Sequence, residues 1–218
     1  MIAVVDYGAG NVQSVVNALA HIQADAVLTT DPAVIEAAAG VVVPGVGAAR
    51  DTMENLTAAG LIVPVTQAIA SGKPYLGICM GMQALMSYSD EHGGQRCLDI
   101  IPGVARRIET ELAVPHMGWN AVHPVVSGAG HPLLDGIPDG AELYFAHSFA
   151  CFPDDSAWVL AETVYGDRFP CILGRDNVLS VQFHPERSGV YGLRLLENFK
   201  GIVAAGGVEA GREAAAAR

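Results

Sequence analysis

Cysteine is scarce and unpaired in this chain of 218 residues. Cys79, Cys97, Cys151 and Cys171 form no CxxC pair and fit neither a zinc site nor a disulfide framework. Basic residues are few: 12 Lys and Arg stand against 23 Asp and Glu, a formal net charge of −11. A nucleic-acid backbone needs a basic face, so this balance argues against one as the main partner. It suits an ordinary solvated surface, or an acidic face that meets a basic partner surface. The N-terminus lacks the basic start and apolar run of a signal peptide. No apolar stretch is long enough to span a bilayer. A cytoplasmic setting with reduced thiols is expected. There is no Ser/Pro-rich linker, charge run or internal repeat, so a single domain is predicted over residues 1–205. An Ala/Gly-rich tail, 206–218, is expected to fray.

What is present is an alternation. "MIAVV" and "GVVVPGVG" are apolar runs that read as buried strands, and "KPYLGI" is a third. "NVQSVVNALAHI" follows the first with helical spacing, and Asn11 is a candidate N-cap. "MENLTAAGLIVPVTQAIASG" reads as helix with a break at Pro64, and "MGMQALMSYS" as helix after the third strand. Strand alternating with helix predicts an α/β fold, a parallel sheet with helices on both faces. From about residue 104 the pattern changes. "VARRIET", "WNAVHPV", "ELYFAHSFAC", "WVLAETV" and "NVLSVQF" read as successive strands, and "YGLRLLENFKGIV" as a closing helix. The sheet is therefore expected to be mixed, mostly parallel with an antiparallel part.

One turn carries chemistry. In "PYLGICMGMQ" a strand ends, Gly77-Ile78-Cys79-Met80-Gly81 follows, and a helix begins. That is the spacing of a nucleophile elbow, in which a strained strand-to-helix turn projects a nucleophile above the sheet edge. Glycines two before and two after leave room for the turn. The helix N-terminus favours a thiolate, and the Met80 N–H can donate to a developing oxyanion. A buried cysteine in a glycine-rich turn is the bland alternative.

A thiol nucleophile needs a base and a group to orient that base. "SVQFHPERSG" supplies both: His184 ends an apolar strand and Glu186 stands two residues on, on the same side at strand spacing. Pro185 between them leaves the ladder. Cys79, His184 and Glu186 thus fit the logic of a catalytic triad. Alone, the His–Glu pair reads more readily as a surface pair at a strand end. His21, His92, His123 and His131 lie beside prolines, glycines or in helix and carry no such pattern. "GAGN" near residue 10 is too short for a dinucleotide fingerprint, and no cofactor or metal is expected.

"PGVG", "GICMGMQ" and "QFHPE", in that order, resemble the class I, or triad, glutamine amidotransferases, and the likeness runs from "DYGAGN" to "LLENF". The resemblance implies a single-domain, flavodoxin-like α/β fold and glutamine hydrolysis through a glutamyl thioester on Cys79. His184 would shuttle the proton and Glu186 orient it. Val46 and Gly47 would complete an oxyanion hole with Met80. Gln83, Glu91 and Ser148 would bind the glutamine.

"PHMGWN" at 115–120 narrows the resemblance to glutaminase subunits of imidazole glycerol phosphate synthase, in histidine biosynthesis. That implies a heterodimer with a (β/α)8 barrel cyclase that receives ammonia and makes imidazole glycerol phosphate and AICAR. Asn11, Met117, Trp119, Asn120, Tyr144 and Arg187 would then face the partner, with Met117, Trp119 and Asn120 exposed on a turn. Arg187 stands where lysine is usual, and Cys97 and Ser180 where glycine is. A glutaminase subunit of another synthase, or a non-catalytic regulatory partner, remain the alternatives.

Overall fold

The computed structural model describes residues 1–211. Its first half alternates β1 (Ile2–Val5), α1 (Val12–His21), β2 (Ala26–Thr29), α2 (Pro32–Ala37), β3 (Gly40–Gly45), α3 (Ala49–Ala58), α4 (Ile62–Ala70), β4 (Tyr75–Cys79) and α5 (Met80–Gln83). Strands then dominate: β5 (Met86–Ser89), β6 (Gln95–Arg96), β7 (Ile101–Arg107), β8 (His116–Pro124), β9 (Ala141–His147), β10 (Phe149–Pro153), β11 (Val159–Tyr165), β12 (Asp167–Arg175) and β13 (Val178–Val181). The long helix α6 (Gly189–Ala205) follows.

Nine strands form one sheet in the order β2-β1-β3-β4-β13-β12-β11-β8-β9. From β2 to β13 the pairings are parallel, and from β13 outward they are antiparallel. This is the expected mixed α/β sheet. Its parallel strands are apolar on both faces because helices cover both. Val42, Leu76 and Ile78 face α1 and α6, packing with Leu19, Leu195 and Phe199. Val41, Val43 and Tyr75 face the other side, with Ile35, Leu56 and Val65. Alternation along each strand does this sorting. Among the described residues, no helix is long and apolar enough to cross a membrane.

A second sheet of four strands, β10-β7-β5-β6, was not anticipated. Three local expectations change with it. The helix expected over 80–89 is one turn, Met80–Gln83, after which the chain extends as β5 and pairs in parallel with β7. "ELYFAHSFAC" is two strands: β9 pairs with β8 in the large sheet and β10 with β7 in the small one. Ser148 is the crossing point. The break in "MENLTAAGLIVPVTQAIASG" falls at Gly60, whose φ of 68° ends α3, and not at Pro64. Pro64 lies in the first turn of α4, where its missing N–H has no helical partner to lose. Of the expected tail, residues 208–211 are helical and Val208 is buried on the core; 212–218 lie outside the described residues.

Candidate active site

Cys79 closes β4 with φ 53° and ψ −104°, a backbone conformation that costs a non-glycine residue about 1–3 kcal/mol. The flanking glycines make the turn possible by backbone contact. A Cβ on Gly77 would lie 2.5 Å from the Gly81 carbonyl oxygen, and one on Gly81 would lie 1.8 Å from that of Val43. So the second glycine seats the elbow against β3, the strand that leads into the loop holding Val46 and Gly47. Gly45, at the end of β3, presses on Tyr7: a Cβ there would sit 2.1 Å from its hydroxyl. The helix expected to favour a thiolate is only one turn here, and its N–H groups make no capping hydrogen bond to the Cys79 side chain.

His184 follows β13, the strand hydrogen-bonded to β4 in parallel, so the two strand ends bring the imidazole to the thiol. Its Nδ1 donates to Glu186 Oε1 at 2.8 Å, and the side chains are 4% and 0% exposed. Glu186 reaches back from a 3-10 turn, Pro185–Arg187, and not from a continuing strand. Burial works against a charge on His184. Interactions with the Cys79 sulfur and the Glu186 carboxylate outweigh it and raise the imidazole pKa from 6.5 to about 10. At neutral pH the ring is therefore an imidazolium beside the sulfur.

A cavity of about 170 Å³ opens on the thiol. Val46, Gly47, Met80, Gln83, Glu91 and Ser148 all line it, together with Cys79. The structure thus gathers every residue expected at the oxyanion hole and at the substrate. Gly47 has φ 102°, a left-handed conformation that suits glycine. Glu91 also holds the loop's far end: its Oε2 accepts the Ala49 N–H at 2.7 Å, at the first residue of α3. Gln83 is buried and donates to the Phe149 carbonyl at 3.1 Å and to Gln182 Oε1 at 3.3 Å.

Three buried polar residues here were not among the expected site residues, although the resemblance placed His147 in a segment lining the pocket. Gln182 is fully buried, and its Nε2 lies 3.7 Å from Cys79 Sγ. A polar residue inside the apolar strand "SVQF" was the available signal. His147 lines the cavity, and His116 stands behind it at 3.1 Å. Asn11 is a different case. It sits at the N-cap position of α1 with φ 70°, but its side chain does not cap the helix. It donates instead to Glu186 Oε1, 175 residues away. Among the described residues, the buried Glu186 Oε2 has no hydrogen-bond partner, so the carboxylate is held through one oxygen.

The residues expected at a partner surface divide. Met117 and Trp119 are 65% and 54% exposed, but they lie within β8, not on a turn. Across the ladder, Trp119 meets the Tyr144 ring edge-on at 6.2 Å between centroids, and the Arg187 guanidinium lies 4.3 Å over that ring. Asn120 has the opposite parity to Trp119 and turns toward His116 and the Val164 carbonyl, away from that aromatic surface. Ser180 is buried, with its hydroxyl 3.4 Å from the Leu173 carbonyl. Burial, aided by the Glu91 charge, raises the Cys97 thiol to about 11. Arg187, Cys97 and Ser180 leave the Cys79–His184–Glu186 line intact.

The family model of class-I glutamine amidotransferases matches residues 3–202. The imidazole glycerol phosphate synthase subunit HisH of Herpetosiphon aurantiacus is 49% identical over 199 residues, covering 91% of this chain and 93% of its own. That of Chloroflexus aurantiacus is 49% identical over 200 residues, covering 91% and 94%. Among solved structures, a glutamine amidotransferase aligns with a TM-score of 0.73 at 18% identity, covering 94% of this chain and 100% of that one. The last likeness bears on the fold alone. With a nucleophile elbow, an imidazolium beside its thiol and relatives this similar over nearly the whole length, the chain belongs to the class-I glutamine amidotransferases, in the family of the synthase subunit HisH.

Proposed function

We propose that this chain hydrolyses glutamine to glutamate and ammonia, and that the ammonia passes to a (β/α)8 barrel cyclase subunit making imidazole glycerol phosphate and AICAR in histidine biosynthesis. The observation that carries the chemistry is the line Cys79–His184–Glu186, closed by a 2.8 Å hydrogen bond and opening on a cavity lined by polar groups. The sulfur attacks the side-chain carbonyl carbon of glutamine, and its C=O electrons move onto oxygen. Met80 and the 46–47 loop line the cavity beside the sulfur, and their backbone N–H groups are the donors assigned to that oxyanion. Collapse of the intermediate breaks the C–N bond as His184 gives its proton to the departing nitrogen, and ammonia leaves. A water then attacks the thioester, His184 takes its proton, and the C–S bond breaks to release glutamate. Glu186 keeps the imidazole in the tautomer that faces the sulfur through both steps.

The partner is inferred from the relatives' name and from the exposed cluster of Met117, Trp119, Tyr144 and Arg187. Aromatic and arginine side chains are the usual anchors of such surfaces. The chain's free thiols suit a reducing, cytoplasmic setting.

One experiment separates chemistry from scaffold. With its cyclase, the Cys79→Ala protein is expected to lose glutamine-dependent product formation while synthesis from added ammonia is retained. If glutamine-dependent turnover survives, Cys79 is not the nucleophile. If both are lost with the fold intact, the residue's role is structural.

A further inference from the structure

Behind the glutamine cavity two buried histidines meet ring to ring, and the proposed mechanism uses neither. His147 lines the cavity with 5% of its surface exposed, and His116 is 2% exposed. Their protons can be placed from their partners. His147 Nδ1 lies 2.8 Å from the Phe149 carbonyl. A carbonyl only accepts, so Nδ1 carries the hydrogen and Nε2 is an acceptor. His116 Nδ1, 3.1 Å from that Nε2, must then donate, which leaves His116 Nε2 to accept. Asn120 Nδ2 supplies that bond at 3.3 Å, and its second hydrogen goes to the Val164 carbonyl at 2.8 Å.

Every bond in this chain therefore points one way, from Asn120 through His116 and His147 to Phe149. Protonating His147 would set two N–H donors against each other at the 3.1 Å contact, and protonating His116 would do the same at the 3.3 Å contact with Asn120. Burial opposes the charge as well, lowering His116 to about 4 and His147 to about 3. Packing fixes the middle ring: His116 is stacked between Tyr165 at 3.9 Å and Phe145 at 4.8 Å, within 22° and 20° of parallel. The far end acts on the pocket, because the Phe149 carbonyl also accepts from Gln83. The near end lies on β8, whose alternate residues Met117 and Trp119 stand exposed.

We propose that Asn120, His116 and His147 form a one-directional relay of neutral hydrogen bonds that positions the Phe149 carbonyl and the Gln83 amide around the substrate. These are positioning residues: none is asked to touch a reacting atom. The inference rests on the glutaminase reading for the identity of the substrate, but not for the state of the rings.

The test is made on the full chain, labelled with 15N-histidine and assayed with its cyclase. The parent protein should show both rings as neutral Nδ1–H tautomers from pH 8 down to about 5. Asn120→Ala should move the ring signals of His147, two hydrogen bonds away. His116→Phe keeps the stacked ring and removes the donor. Both variants should raise the KM for glutamine, the second by about five- to tenfold, the worth of one hydrogen bond. Their kcat should change less than about twofold. An Nε2–H tautomer on His147, His147 signals indifferent to Asn120→Ala, or an unchanged KM in both variants would each overturn the relay. A parent protein that releases no glutamate overturns the glutaminase reading instead, and with it the substrate assigned to the relay.

Discussion

Enclosure alone would strip the proton from His184, which is 3% exposed. The Cys79 sulfur and Glu186 hold it there, and the consequence can be measured. A pKa raised from 6.5 to about 10 on folding means that the folded state binds this proton more tightly than the unfolded state does. The sign follows from linkage. The stabilisation is fully present below about pH 6.5 and is lost as pH rises through about 10. In Cys79→Ala the sulfur's share is gone and Glu186 remains. A side-chain NMR titration should then find His184 losing its proton well below pH 10. An unchanged titration would remove Cys79 from the arrangement. Asn11 adds a lesson at the same scale. Its position invited the assignment of a helix cap, yet its amide serves the carboxylate that orients the base.

At the scale of elements, two glycines end segments for different reasons. Gly60 closes α3 in the left-handed region with nothing within 4 Å of an added Cβ, so Gly60→Ala should cost only its backbone strain, about 1–2 kcal/mol. Gly81 has no such φ, but its Cβ would drive into the Val43 carbonyl of β3. Gly81→Ala should therefore cost at least the upper end of the roughly 1–3 kcal/mol typical of overpacking. It should also abolish glutaminase activity, because relief must open the elbow from the β3 loop. Urea unfolding and turnover would check both. Equal losses would mean that the elbow is not seated on β3. The motif "GICMGMQ" was legible because its two glycines answer fixed steric needs of an elbow: Gly77 clears the turn itself and Gly81 clears the neighbouring strand. The one-turn length of α5 was not legible, because apolar "ALMSYS" suits a buried helix or a strand equally. Pairing with β7, formed by residues about 15 positions later, decides for strand.

The whole molecule sorts side chains by sheet parity. On β8, Met117 and Trp119 point to solvent while His116 and Asn120 point inward, although "PHMGWN" reads as one motif. Trp119→Ala should leave the unfolding midpoint nearly unchanged, within about 0.5 kcal/mol, as surface substitutions do. It should weaken capture of the cyclase by tenfold or more if Trp119 is an anchor, about 1.4 kcal/mol or more in a titration calorimeter. Unchanged affinity would move the docking surface elsewhere. The cavity is likewise a property of the whole molecule: its lining comes from the β3 loop, the β4 elbow, the turn after β5 and the crossing at Ser148.

The amino-acid sequence by itself determined the alternating architecture, the elbow around Cys79, the pairing of His184 with Glu186 and the set of residues around the pocket. The first three follow from periodicity, local sterics and short motif spacing; the residues around the pocket follow from the resemblance to the triad amidotransferases. Only the tertiary structure decided that Asn11 holds Glu186, that Gln182 lies beside the sulfur, and that Asn120 turns from the surface to a pair of neutral histidines. These contacts join residues distant in the chain. Strand register and packing select them, and no local propensity carries that information.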